Sequence, residues 1–272
     1  MARSVPELPF DRLLAQARDL RAAYASARPF PHVVIDDFLP PPILDQVLAE
    51  FPGPDAIDWK RFQDGTGRKL ATRDEAQLGP ATRAFLHDLN SSRFLRFLEE
   101  LTGIDGLLPD PHFEGGGLHQ IERGGYLKIH ADFNRHEKLK LDRRLNLLIY
   151  MNKDWREEFG GHLELWTTDM RQCSKRVLPI FNRCVVFSTT DSSFHGHPEA
   201  LTCPADASRK SVALYYYSNG RPASELSGSH STLYQRRPGE SFYSLRALAK
   251  AFLHRLFGSR RRRTKLSDGE TK

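Results

Sequence analysis

Gly125-Tyr126-Leu127-Lys128-Ile129-His130-Ala131-Asp132 reads as a β-strand that ends in a metal-binding pattern. Alternate side chains of a strand share a face, so His130 and Asp132 can reach one ion without distorting the backbone. A third ligand must then come from a distant strand. Ser193-Phe194-His195-Gly196-His197 offers it, with His195 placed 63 residues beyond Asp132. Two imidazoles and one carboxylate cover one face of a six-coordinate iron and leave three positions for a bidentate cosubstrate and dioxygen. His197 shares the face of His195 if the strand persists, so spacing alone leaves both histidines open as the third ligand.

The triplet alone is weak. A chain with 11 His and 34 Asp or Glu produces such pairs by chance, and the plain alternative is an ordinary surface pair. The order downstream adds weight. Ser208-Arg209-Lys210-Ser211-Val212-Ala213-Leu214-Tyr215-Tyr216-Tyr217 is a β-rich run in which Arg209 and Ser211 share one face. A guanidinium matches a carboxylate through two parallel hydrogen bonds, and a hydroxyl two residues on can add another.

Taken in order, these segments resemble the iron(II) and 2-oxoglutarate dependent dioxygenases of the prolyl 4-hydroxylase type. The likeness runs from about Gly124 to Tyr217 and includes Tyr150-Met151-Asn152-Lys153-Asp154-Trp155, Gly160-Gly161-His162-Leu163-Glu164-Leu165 and Val185-Val186-Phe187-Ser188. Pro29-Phe30-Pro31-His32-Val33-Val34-Ile35-Asp36-Asp37-Phe38-Leu39 is similar to the entry strand of such enzymes, which extends the likeness over residues 30 to 220. The resemblance implies His130, Asp132 and His195 as catalytic metal ligands, preferring His195 over His197. It implies Arg209, Ser211 and Tyr150 as contacts of 2-oxoglutarate, with Tyr126 as a further cosubstrate contact or a packing residue. It also implies Fe2+, O2, 2-oxoglutarate as cosubstrate and ascorbate as reductant. The 14 residues from His195 to Arg209 exceed the usual spacing, and Pro198 to Ala207 reads as an inserted loop. His162 reads as a sheet residue, Tyr215 to Tyr217 as strand packing, and Lys153 to Glu158 as a solvated loop near the barrel mouth.

At 272 residues and 39% apolar content, one catalytic domain with extensions is the expectation. Residues 9 to 26, 40 to 51 and 80 to 103 carry helical patterns. Strands are expected near 32 to 36, 117 to 122, 125 to 132, 144 to 151, 162 to 167, 176 to 180, 183 to 188, 194 to 198 and 209 to 218. The fold class is therefore mainly β with flanking helices (α+β), a double-stranded β-helix or jelly roll. The expected division is an N-terminal helix at 1 to 28, the jelly-roll domain at 29 to 222, a polar linker at 223 to 240, and a basic amphipathic helix and tail at 241 to 272.

The charge sits in that tail. Residues 241 to 272 hold nine Lys or Arg and two acidic residues, a net of +7 against +6 for the whole chain, so residues 1 to 240 carry a net of −1. No nucleic-acid groove is indicated. The segment 241 to 265 could instead meet an anionic membrane surface or an acidic partner, the alternative being a docked helix with a solvated end. Cys173, Cys184 and Cys203 form no CxxC pair, and the N-terminus lacks an apolar signal segment, so a reducing cytoplasmic setting is expected. The motifs favour hydroxylation of a protein or peptidyl prolyl residue. The alternatives are a hydroxylase of the same mechanism acting on a small molecule, lipid or saccharide, and a non-catalytic jelly-roll or zinc-binding module.

Overall fold

Branched and aliphatic residues alternating along the second half of the chain set up two antiparallel sheets, and the helices cover the outer face of one of them. The computed structural model describes residues 7–225 and 227–240, and one unit ends at Pro238. The expectation of a basic helix and tail at 241 to 272 lies outside the described residues.

The first part of the chain contains α1 (Phe10–Ser26), β1 (His32–Ile35), α2 (Pro41–Ala49), β2 (Lys60–Gln63), β3 (Arg68–Ala71), α3 (Pro80–Leu89) and α4 (Ser92–Thr102). Strands follow: β4 (Gly117–Glu122), β5 (Leu127–Ala131), β6 (Asp142–Tyr150), β7 (Leu163–Trp166), β8 (Cys173–Val177), β9 (Cys184–Ser188), β10 (His195–His197), β11 (Ser208–Ser218) and β12 (Leu233–Tyr234). The larger sheet has the order β1-β9-β6-β11-β4-β3-β2, and the smaller one β12-β5-β10-β7-β8. This is the expected jelly roll.

Alternation divides the work of the larger sheet. Leu145, Leu147 and Ile149 of β6, with Val212, Leu214 and Tyr216 of β11, join the core formed with the helices. Each such side chain, fully buried, contributes roughly 1.5 to 3 kcal/mol of transfer free energy. The residues between them point the other way, which puts Asn146, Tyr150, Arg209 and Ser211 on the face toward the smaller sheet.

The sequence reading and the structure differ in several places. The helical pattern at 80 to 103 is two helices, because Ser91 stops α3 and restarts the chain: its hydroxyl donates to Asp88 O at 2.6 Å and accepts from Phe94 N. β8 ends at Val177, two residues before Pro179, whose ring nitrogen has no hydrogen to give a ladder. Trp155, expected in a solvated loop, is buried against Ile121, Leu201 and Cys203. The expected linker at 223 to 240 is partly sheet, since Leu233 and Tyr234 pair with Ala131 and His130 of β5. The hairpin of β2 and β3 was not expected, because its residues are mostly polar and exposed. Asp64 closes its turn by accepting from Thr66 N at 2.7 Å and Gly67 N at 3.0 Å. All three cysteines are free thiols, and among the described residues no helix is long and apolar enough to cross a membrane.

Candidate metal and cosubstrate site

Strand pairing brings the histidines together. β10 lies antiparallel to β5 with His195 opposite His130, and their ring centroids are 4.5 Å apart. Each ring is held by a carbonyl two residues upstream: His130 Nδ1 is 2.7 Å from Lys128 O and His195 Nδ1 is 2.9 Å from Ser193 O. A carbonyl only accepts, so each Nδ1 bears a hydrogen, and Nε2 is the ring nitrogen left to ligate a metal. Both Nε2 atoms face Asp132, that of His130 at 3.6 Å from Oδ1 and that of His195 at 3.4 Å from Oδ2. One ligand atom from each of the three residues lies within 4.8 Å of the others, the one such group found among the described residues.

Protonation favours the same use. Burial, aided by His130 and opposed by Asp132, pushes His195 down to about 4, so its imidazole is neutral at physiological pH. Burial would raise Asp132, but Arg143, His195 and His130 outweigh it and hold the carboxyl well below its ordinary range. Two imidazoles and a carboxylate fit an Fe(II) ion.

The carboxylate is fixed by residues that the sequence reading did not single out. Asp132 Oδ2 accepts from Arg143 Nη2 at 3.0 Å and from Asn146 Nδ2 at 2.7 Å. Arg143 also donates to Asn146 Oδ1 through Nε and Nη2, and its guanidinium lies 3.5 Å from the centroid of Tyr215. Strict alternation would put Arg143 and Asn146 on opposite faces. A bulge intervenes: Tyr216 and Tyr217 are adjacent on β11 yet pair with Leu145 and Arg143 on β6, which leaves Arg144 as the extra residue.

A small cavity of about 70 Å³ extends inward from the ligands and is lined by His197, Arg209 and Ser211 among others. Arg209 is 5% exposed. Its Nε donates to Gly161 O at 2.8 Å and its Nη2 to Tyr150 Oη at 3.2 Å, and it forms no ion pair among the described residues. A guanidinium has five N–H donors, so this one retains donors for a carboxylate, and a buried unpaired cation gains by receiving one. Gly161 permits the arrangement. It has φ +74°, and a Cβ there would lie 2.9 Å from Arg209 Cδ and 2.7 Å from Leu201 Cδ2.

Ser211 is buried and pairs with Tyr150 across the β6–β11 ladder, so Tyr150, Arg209 and Ser211 are brought together. Tyr126 is not. Its hydroxyl donates to Asp64 O at 3.2 Å in the β2–β3 turn, and it lines neither this cavity nor the larger one above it. The turn after β4 carries it outward. His197 lines the cavity, but it stands outside the three-residue metal group, and both of its ring nitrogens are buried without a hydrogen-bond partner. His162 is bound to Glu157 at 2.9 Å instead of to the site.

Above the ligands the site opens into a cavity of about 460 Å³. Its walls include Phe62 and Lys69 from the β2–β3 hairpin, Tyr215 from β11 and Tyr234 from β12. The Tyr234 ring lies 5.5 Å from that of His130.

Comparison with known proteins agrees with this geometry. Residues 116–217 match the family described as the 2OG-Fe(II) oxygenase superfamily. A stretch of 79 residues is 32% identical to prolyl 3-hydroxylase OGFOD1 of Mus musculus; it covers 28% of this chain and only 14% of that relative's length. Among solved structures, a Pseudomonas putida prolyl-4-hydroxylase is similar with TM-score 0.52 and 19% identity, over 76% of this chain and 100% of that one. HygX from Streptomyces hygroscopicus, solved with nickel, 2-oxoglutarate and hygromycin B bound, is similar with TM-score 0.52 and 11% identity, over 79% of this chain and 96% of that one. At such identities the two structures speak for the fold, and the sequence match speaks for descent: residues 116–217 form a domain of the 2OG-Fe(II) oxygenase superfamily.

Proposed function

We propose that this chain is an Fe(II)- and 2-oxoglutarate-dependent dioxygenase that hydroxylates an unactivated C–H bond of a prolyl residue in a protein or peptide, releasing succinate and carbon dioxide. One observation carries the reading: two imidazoles and a carboxylate converge on one side of a buried cavity whose other side presents an Arg209 guanidinium with no ion-pair partner among the described residues. Iron and 2-oxoglutarate, when bound, would supply the oxidising chemistry with O2, with ascorbate as the reductant.

The chain's own residues bind and orient. His130, Asp132 and His195 hold the metal through the Nε2 atoms and the carboxylate. Lys128 O and Ser193 O keep the two rings in the ligating tautomer, while Arg143 and Asn146 keep the carboxylate turned toward them. Arg209, with Tyr150 and Ser211 beside it, receives the distal carboxylate of 2-oxoglutarate. The two sheets exclude water from this end of the cavity, which strengthens that charge-assisted contact.

The aromatic faces of Phe62, Tyr215 and Tyr234 around the outer cavity suit a pyrrolidine ring, and the likeness to prolyl hydroxylases in sequence and fold supports a prolyl substrate. A second reading, the same reaction on a small molecule, is favoured by the fold likeness to HygX. Incubation with Fe(II), 2-oxoglutarate, ascorbate and a panel of proline-containing peptides decides between them. A mass gain of 16 on proline, matched by succinate, supports the first reading. Succinate formation coupled only to a non-peptide compound supports the second.

A further inference from the structure

The β2–β3 hairpin turns one charged face toward the outer cavity. Lys60 and Phe62 are two residues apart on β2, and Lys69 pairs with Phe62 across the ladder, so all three share a face. Lys60 Nζ lies 5.2 Å and Lys69 Nζ 5.0 Å from the Phe62 ring centroid. Lys69 is half-buried and lines both the outer cavity and the small one below it, which puts it at the seam where cosubstrate and substrate meet. Among the described residues no acidic side chain forms an ion pair with it. Burial pushes its ammonium down to about 8, against the pull of Asp132 and with help from Arg143, so it is charged at neutral pH.

The charges nearby leave Lys69 unmatched. Exposed Lys60 and Arg135 line the outer cavity together with Glu114 and exposed Glu137, two charges of each sign in a set that solvent screens. Deeper in, Lys69, Arg143 and Arg209 bring three positive charges and Asp132 one negative. An Fe2+ ion and a 2-oxoglutarate dianion cancel each other, so two positive charges remain where water is scarce. Arg143 is tied to Asp132 and Arg209 faces the cosubstrate cavity. Lys69 is the cation left facing the substrate.

We propose that Lys69, with Lys60 beside it, binds an acidic side chain of the substrate, so that the preferred substrate is a peptide carrying Asp or Glu next to the residue that is hydroxylated. This deepens the dioxygenase reading and rests on it. The Phe62 ring beside the two ammonium groups gives such a peptide an apolar surface next to its charge, and complementary charge selects partners more sharply than it raises affinity.

The test uses three fluorescein-labelled nonapeptides with a central proline flanked by Glu, by Ala or by Lys. Their binding to the full chain loaded anaerobically with Fe(II) and 2-oxoglutarate is followed by anisotropy at low and high salt. The Glu-flanked peptide is expected to bind about tenfold tighter than the Lys-flanked one at low salt, a difference near 1.4 kcal/mol. Lys69→Gln is expected to erase that preference, and Lys60→Gln to reduce it, while 2-oxoglutarate affinity stays unchanged. Equal binding of the three peptides, or binding of none, overturns the proposal. So does a Lys69→Gln protein that loses 2-oxoglutarate affinity but keeps the peptide preference, which would assign the ammonium to the cosubstrate. A Glu-flanked peptide with alanine in place of proline that binds and gains 16 mass units would support the acidic preference while ending the prolyl reading.

Discussion

His195 stands directly opposite His130 across the β5–β10 ladder, and Gly196 is what lets the two strands come that close. A Cβ on Gly196 would lie 2.8 Å from both Leu127 O and Lys128 O. These are backbone atoms that cannot swing aside. Gly196→Ala is therefore expected to part the strands at the ligands and weaken Fe(II) binding by about tenfold or more, in the range seen when the support of a metal ligand is disturbed. Anaerobic calorimetric titration with Fe(II) measures it, and an unchanged affinity would show that the ladder does not set the ligand spacing.

Asn146 tests the orientation of the carboxylate. Its amide donates to Asp132 Oδ2 at 2.7 Å, and Asn146→Ala removes that bond while leaving the Arg143 contact. Fe(II) affinity is expected to fall about 10-fold, with the far-ultraviolet circular dichroism spectrum intact. Equal affinity in the variant would mean that Arg143 alone suffices.

Arg209 and Gly161 form a linked pair. Arg209→Lys keeps the charge and loses the planar fork, and a charge-assisted bond of this kind contributes about 1.5 to 3 kcal/mol, or roughly 10- to 100-fold in 2-oxoglutarate affinity. Gly161→Ala should weaken the same affinity with Arg209 still present, because its Cβ would collide with Arg209 Cδ. Both are read as 2-oxoglutarate dissociation constants under anaerobic conditions. Wild-type values in both variants would place the distal carboxylate elsewhere.

How far these residues could be read from the sequence depended on strand geometry. His130 with Asp132, and Arg209 with Ser211, are spaced by two, and that spacing survives folding because regular strands alternate. The choice of His195 over His197 needed the resemblance, since both lie in β10. Arg143 reaches Asp132 only through the bulge at Arg144, which no periodic pattern contains. Lys69 stayed hidden because its hairpin is polar and short, and polar alternation in a short segment looks the same as a loop. Tyr234 belongs to a two-residue strand, which is too brief for any pattern.

Acid should destabilise the metal-free protein. His195 has its folded value pushed down to about 4 from the ordinary 6.5, so between those values the unfolded chain binds more protons. Asp132 is likewise held below its ordinary value of 3.8, and its contribution is lost as pH falls through its depressed value. Both signs agree: stability falls as pH drops from about 6.5 toward 4, and further below that. Urea unfolding of the metal-free chain at pH 7.0, 5.5 and 4.5 is expected to show a falling midpoint. A further point at pH 3.0 falls within the window of the carboxylate, below 3.8, and Asp132→Asn should flatten the curve there. A midpoint that rises on acidification would contradict the neutral state assigned to His195.

The most direct test of the central claim is succinate release from 2-oxoglutarate with Fe(II), O2 and ascorbate by four proteins side by side: the unaltered chain, Asp132→Ala, His195→Ala and His197→Ala. The account predicts turnover by the unaltered chain, loss by at least about 100-fold in Asp132→Ala and His195→Ala together with loss of Fe(II) binding, and retained Fe(II) binding in His197→Ala. Full turnover by Asp132→Ala, or loss of the metal in His197→Ala with its retention in His195→Ala, would contradict it.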